Sequence, residues 1–318
     1  MPSVNVACLG RPGYASAIAK KGSESDIAFY DLKRGGTMLT LIEPLRYPER
    51  LAPLFYACSM SNFALLAVEE LDHRLGEALV MLDRLGVERG IIVPLNHIQE
   101  EQVRPLLQGT VCESYRFFED DPALIREELL QEASTKPSEG ADCGSVTVDE
   151  CFNVKGVGTV VLGEVMSGSV RKHSKLTVHP LREVVVVRSI QMHDDDCEAA
   201  HEGDRVGLAL RGVDSGRLTR GMVLSDDPRM MLSQELVAEL EKSRFWRTPI
   251  NEGAVLHLGH WMQSVPFRVI SAEGEEESPL LTLRADESVT HPPGDRAAVM
   301  HLEGGKLRVV GRLRLPSR

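Results

Sequence analysis

The chain has 318 residues, 42% hydrophobic and 26% charged, which is ordinary for a globular protein and sufficient for two or three domains. A formal net charge of −11 argues against broad, sequence-blind binding to nucleic acid, which needs a basic footprint, but leaves room for one local basic face. The six cysteines never fall in C-x-x-C spacing, residues 1–9 lack the pattern of a signal peptide, and no run reaches the roughly 20 apolar residues of a membrane span. A reduced, soluble, cytoplasmic protein is expected.

Short apolar strands alternate with helix-period segments from Asn5 to about Ala133. Strands are expected at residues 4–9, around Phe29, and at 37–42, 63–68, 90–95 and 110–115; helices at 48–60, 72–85, 99–107 and 122–132. Such alternation predicts an α/β domain over residues 1–137, with a mostly parallel sheet covered by helices on both faces. Residues 134–141, Ser-Thr-Lys-Pro-Ser-Glu-Gly-Ala, read as a polar linker.

From residue 148 apolar and polar residues alternate up to Val154, and a β-branched run follows Gly156-Val157-Gly158, the pattern of two strands around a glycine corner. Further strand-like segments at 179–180, 183–191, 206–210 and 221–224 predict a closed antiparallel barrel over residues 142–228, since closure removes edges. Residues 229–318 read as a second all-β domain, with strands at 236–240, 254–258, 267–271, 280–283, 297–302 and 307–315.

The barrel carries a specific set of motifs: Asp149, Phe152, Gly156-Val157-Gly158-Thr159-Val160, then Gly203-Asp204-Arg205-Val206-Gly207-Leu208-Ala209-Leu210-Arg211-Gly212 and Arg220-Gly221-Met222-Val223-Leu224. Together they resemble domain II of the translational GTPases, the family of elongation factor Tu and the selenocysteine-specific elongation factors. His201-Glu202 replaces the usual Ala before Gly203, and Lys172-His173-Ser174-Lys175 stands where a V-G-D-x turn is usual. Residues 256–260 and 304–313 resemble the family's domain III more loosely. The resemblance implies a P-loop GTPase-like α/β domain followed by two β-barrels, in an archaeal-type chain without the winged-helix modules of the bacterial selenocysteine factors.

The nucleotide motifs depart from the family. The phosphate loop corresponds to Leu9-Gly10-Arg11-Pro12-Gly13-Tyr14-Ala15-Ser16, with Tyr14 at the lysine position and Pro12 offering no N–H. Where D-x-P-G-H belongs the chain has Glu43-Pro44-Leu45-Arg46-Tyr47; N-K-x-D has become Asn96-His97-Ile98-Gln99, and the last motif survives only as Cys112-Glu113-Ser114. Loss of the phosphate-contacting lysine alone should cost roughly 2 to 3 kcal/mol, about a hundredfold in affinity. Residues 20–37 leave little for a γ-phosphate to order. Gly10, Gly13, Tyr14, Ser16, Glu43, Asn96 and Gln99 thus mark a degenerate nucleotide site, with no cofactor and no catalytic residue expected; the alternative is GTP or GDP with Mg bound in an unorthodox manner.

Other polar clusters read blandly. His193-Asp194-Asp195-Asp196-Cys197 with His201 offers metal donors but matches no usual zinc spacing, and is expected to be a solvated loop. His257 and His260 would point to opposite faces of a strand. Glu273-Gly274-Glu275-Glu276-Glu277 reads as an acidic turn. No metal site is expected.

The family's aminoacyl pocket maps onto Asp149, Glu150, Phe152, Leu162 and Arg205. Arg205 is Asn in elongation factor Tu and Arg in the selenocysteine factors, which implies a small ionisable cargo such as cysteine or selenocysteine unless Arg205 pairs with Glu150. Lys306, Arg308, Arg312 and Arg314 form either the solvent side of an edge strand or a face for tRNA phosphates. The resemblance implies tRNA or aminoacyl-tRNA as partner, with the ribosome or other translation components beside it, and neither membrane nor DNA. A working GTPase and an assembly scaffold are the alternatives.

Overall fold

The computed structural model describes residues 2–134, 143–193 and 195–317; most of the expected linker lies outside them. The first domain contains β1 (Ser3–Gly10), β2 (Lys20–Glu24), β3 (Ile27–Arg34), β4 (Thr37–Pro44), α1 (Ala52–Ser59), β5 (Phe63–Val68), α2 (His73–Leu85), β6 (Gly90–Pro94), α3 (Glu100–Leu107), β7 (Arg116–Phe117) and α4 (Pro122–Ser134). The sheet order is β2-β3-β4-β1-β5-β6-β7. β4, β1, β5, β6 and β7 run parallel, and β3 with β2 forms an antiparallel edge. Apolar residues on both faces of β1 and all six of β5 are buried, as a sheet covered on two sides requires. α2 starts where Asp72 accepts the N–H groups of Arg74 and Leu75, and stops at left-handed Gly86.

Two expectations fail here. Residues 110–115 are not a strand but a 3-10 turn, Val111–Ser114, because Cys112 and Tyr115, three apart, are the buried pair; the edge pairing passes to β7. The helix expected from residue 48 begins only at Ala52.

The second domain comprises β8 (Ser145–Val154), β9 (Gly158–Ser167), β10 (Ser169–Arg171), β11 (Lys175–His179), β12 (Glu183–Met192), β13 (Asp195–Cys197), β14 (Ala199–His201), β15 (Arg205–Arg211) and β16 (Val223–Ser225). The order β11-β16-β8-β9-β15-β12 closes through β11–β12, with β13 beside β12. Residues 195–197, expected in a solvated loop, pair with 190–192 as a hairpin arm, and Lys33 and Asp31 of the first domain reach Asp195 and His193. The third domain is a closed barrel of β17 (Met231–Lys242), β18 (Val255–His260), β19 (Gln263–Glu273), β20 (Leu280–His291), β21 (Arg296–Met300) and β22 (Val309–Arg314). β22 pairs with both β17 and β21, so it is not the edge strand one reading supposed, and Lys306 and Arg308 precede it.

The first and third domains share an interior, while the second keeps a core of its own. Met262, Ala298, Met300 and Val309 of the third domain belong to the same buried cluster as Phe55, Leu79 and Leu82 of the first. Gly259 permits this approach: a Cβ there would lie 2.5 Å from the Phe55 ring. A continuous apolar contact of this kind is what distinguishes a fixed domain interface from a sliding one.

Candidate functional site

A cleft of about 200 Å³ opens at the carboxyl ends of β1, β4 and β5, where the sheet reverses its strand order and where open α/β sheets place ligands. A phosphate there needs backbone N–H groups that face it. The loop after β1 has almost none to offer. Arg11 N donates to Ala67 O (2.9 Å), Tyr14 N to Arg11 O (3.4 Å) and Ser16 N to Gly13 O (3.2 Å). Ala15 N donates to Glu43 Oε1 (3.0 Å), so a buried carboxylate of the chain itself takes the contact an anion would make.

Local structure explains the arrangement. Gly10, at φ 99°, lies so close to β5 that a Cβ would stand 2.1 Å from Ala67 O, which fixes the path of the loop. Only a four-residue 3-10 turn, Tyr14–Ala17, follows, so the loop after β1 leads into no α-helix whose dipole could face a phosphate. Tyr14 turns inward and its hydroxyl donates to Asp120 Oδ1 (2.7 Å); burial, then that carboxylate, pushes the phenol up. Ser16 is exposed and its hydroxyl donates to Gly13 O (2.6 Å). Burial and then Glu43 push Tyr30 up to about 12.

The remaining candidate nucleotide residues do not converge. Asn96, at φ 51°, donates to Glu69 Oε1 (3.1 Å), and Gln99 caps α3 while its amide donates to His97 O (3.2 Å). Of the candidates, Gly10 and Glu43 line the cleft; Gly13, Tyr14, Ser16, Asn96 and Gln99 do not.

In the second domain the structure divides the five aminoacyl candidates. Glu150 and Leu162 are register partners across β8 and β9, Leu162 is in turn opposite Gly207, and Phe152 is 41% exposed near the turn of the hairpin. Asp149 and Arg205 instead lie in the interface with the first domain. Arg205 Nη2 stands 2.9 Å from Asp149 Oδ2 and 3.1 Å from Ser23 Oγ, with its guanidinium carbon 3.3 Å from the Phe29 ring centroid. Arg220, also 2.9 Å from Asp149, reaches Asp26 and Ser25. Arg205 pairs not with Glu150, the alternative the sequence left open, but with Asp149, which lies between two guanidiniums.

The basic quartet is divided as well. Arg308 binds Glu77, a buried carboxylate of α2, through Nε (3.1 Å) and Nη2 (2.6 Å), and its backbone N–H adds a third contact (2.7 Å). Arg312 forks onto Glu241 (2.6 and 2.7 Å), and this pair holds the Glu241 carboxyl below its ordinary range. Lys306 and Arg314 are exposed. Arg296, which the sequence did not single out, lies directly opposite Arg314 on β21. Only the register of the β21–β22 pairing reveals it.

Among the described residues no three His, Cys, Asp or Glu side chains gather as metal ligands. His260 is buried, with Nε2 3.0 Å from Asp295 Oδ2, and His257 is half-buried on the same strand. Burial pushes His179, His257 and His291 below the ordinary histidine value. Around pH 6.5 the unfolded chain therefore takes up protons that the folded chain refuses, and these groups withdraw stability as the pH falls. Thermal melts from pH 7.5 to 5.5 should show a shallower decline for His257→Gln than for the wild type; parallel slopes would contradict the assignment.

The family model "Elongation factor Tu domain 2" matches residues 158–225. The uncharacterized protein MJ0325 of Methanocaldococcus jannaschii is 31% identical over 312 residues, covering 98% of this chain and 99% of that protein. The selenocysteine-specific elongation factor of the same organism is 23% identical over 89% of this chain and 68% of its own length. Among solved structures, translation elongation factor SelB from Methanococcus maripaludis, in complex with the GTP analogue GppNHp, superimposes with a TM-score of 0.82 at 21% identity, over 99% of this chain and 79% of that one.

Proposed function

The chain belongs to the translational GTPase family of elongation factor Tu and the selenocysteine-specific elongation factors, and we propose that it is a nucleotide-independent member that holds a tRNA or its aminoacyl end. The observation that carries this reading is the contact of Ala15 N with Glu43 Oε1: the phosphate position is served by an internal carboxylate. Binding a triphosphate there means breaking that contact and placing like charge beside Glu43, which costs several kcal/mol before any gain. The first and third domains are already joined by a shared core and the Arg308–Glu77 pair, and the first and second by the Asp149-centred pairs, so no γ-phosphate is needed to assemble them.

The tRNA part rests on the second and third domains. Phe152 and Val157, 41% and 38% exposed, present an apolar corner beside Glu150 and Leu162, suited to stacking against a base or an aminoacyl group. Arg296 and Arg314, like charges in direct register, form an exposed basic pair beside Glu241, suited to a phosphate contact.

Calorimetric titration with GTP, GDP and a non-hydrolysable analogue in magnesium is expected to give no heat of binding at micromolar concentrations; tight binding with turnover would overturn the nucleotide-independent reading. Gel shifts with aminoacylated and deacylated tRNA across a salt series are expected to show a steep salt dependence. Arg296→Gln/Arg314→Gln should reduce the log–log slope by roughly 1 to 2. Absence of a shift at low salt for both tRNA forms would favour an assembly scaffold.

A further inference from the structure

Two adjoining concavities, of about 640 and 440 Å³, open on the third domain where β17 ends. Lys242 lines both, and together they collect Arg244, Arg247, Arg296, Arg312 and Arg314, six cations in all, against the four carboxylates of Glu239, Glu241, Glu276 and Glu277. Arg312 is held by Glu241, and Arg244 donates to Gln108 O of the first domain. Arg247, Arg296 and Arg314 are exposed, and among the described residues their guanidiniums form no ion pair. Glu276 and Glu277 come from the turn of residues 274–279, Gly-Glu-Glu-Glu-Ser-Pro, between β19 and β20. That turn is seated on Lys242 twice: Glu277 O accepts the Lys242 backbone N–H (3.4 Å), and Glu276 Oε1 lies 3.4 Å from the ammonium. Leu240 N, donating to Pro279 O (2.9 Å), fixes the far side of the turn. Lys242 keeps 8% of its side chain exposed, whereas Glu276 keeps 72%, and an ion pair with one partner so open to water is weak and exchanges readily.

We infer that the acidic turn after β19 is an internal competitor for this basic face, an autoinhibitory contact that a nucleic-acid backbone displaces. With the turn in place the cations exceed the carboxylates by two; without Glu276 and Glu277 they would exceed them by four, and Lys242 would be available to a phosphate. A lone phosphate gains little by displacing two carboxylates that are tethered beside their partner, because tethering keeps their local concentration high. A nucleic-acid backbone presents several charges at once and displaces both together. The turn thus turns away small anions and admits a polyanion, on the same face where Arg296 and Arg314 stand in register. The inference rests on the reading that this face takes tRNA, yet the two fail separately, since tRNA can bind whether or not the turn competes with it.

The test is a gel shift of the full chain with deacylated tRNA across an NaCl series. Glu276→Gln/Glu277→Gln should bind about three- to tenfold tighter than the wild type near physiological salt, with a log–log slope steeper by about 1. Asp286→Asn/Glu287→Gln removes two exposed charges about 20 Å further along β20, well beyond the screening length of about 8 Å, and should change neither quantity. Lys242→Gln should cost little in the wild type, where the turn already holds that ammonium, and should remove most of the gain in the turn variant. Because Lys242 is largely buried, a further variant leaves it in place: Glu276→Lys/Glu277→Lys, on exposed side chains, should tighten binding beyond the Gln pair with an unchanged melting temperature. An equal gain in the Asp286/Glu287 control would mean that any two negative charges oppose binding, and would overturn the competitor. A turn variant that binds tRNA as the wild type does would overturn it too while leaving the tRNA reading standing. No shift at low salt for either the wild type or the turn variants would overturn both.

Discussion

Arg308→Ala is expected to lower the unfolding free energy by about 3 to 5 kcal/mol, the cost of leaving a buried carboxylate without its cation. Glu77 has 1% of its side chain exposed and Arg308 14%, so neither charge has water to fall back on. The backbone N–H of residue 308 also donates to Glu77 and survives the substitution, which places the result near the lower end of that range. Burial, then Glu77, pushes Tyr47 up, and Arg308 lies over the Tyr47 ring at 5.8 Å, so the loss spreads into the loop after β4. A matched replacement, Arg308→Met with Glu77→Leu, should recover most of the stability, because the desolvation penalty disappears with both charges. Urea unfolding followed by the fluorescence of Trp246 and Trp261, both in the third domain, reads the effect. A single variant no less stable than the double one would show that the ion pair does not join the first and third domains.

How much of this was legible in the sequence depended on range. β5 occupies residues 63–68 as its apolar run predicts, and α2 runs from its Asp72 cap to Gly86, because both are set by local pattern and capping chemistry. All six strands of the third domain overlap the expected segments; β17, β19 and β20 run well beyond them, whereas β21 and β22 end short of the expected 302 and 315. The residues expected to act on tRNA fared differently. Arg308 and Glu77 are 231 positions apart, and Asp149 and Arg205 are 56 apart, so nothing in either neighbourhood marks them as partners. Alternating basic residues near the carboxyl terminus are read as one face only if all four belong to one strand, and two of them do not. Glu43 was legible as a departure from a motif; that its carboxylate would return to the loop after β1 was not, since β1 and β4 become neighbours only when the sheet forms.

Asp149→Ala is expected to be at least as damaging, about 3 to 5 kcal/mol, because it leaves two guanidiniums of the second domain facing each other at its interface with the first. Arg220 keeps Asp26, but Arg205 is left with Ser23 and the Phe29 ring, and its Nη1 already lacks a partner. A cation over an aromatic face contributes about 0.5 to 2 kcal/mol, too little to replace a desolvated carboxylate. Phe152→Ala is the informative contrast. Its side chain projects from the β8–β9 hairpin with 41% exposure and joins no buried cluster, so stability should change by no more than about 0.5 kcal/mol. If the corner is where a base or aminoacyl group stacks, affinity for aminoacyl-tRNA should fall by about 1 to 3 kcal/mol, roughly five- to 150-fold. Binding measured well below the melting temperature of the weaker variant separates the two roles: Asp149→Ala should move the melting temperature and loosen the interface, and Phe152→Ala should move only the affinity. A Phe152→Ala protein that binds aminoacyl-tRNA as the wild type does would exclude the hairpin corner from recognition, whatever Asp149 proves to hold together.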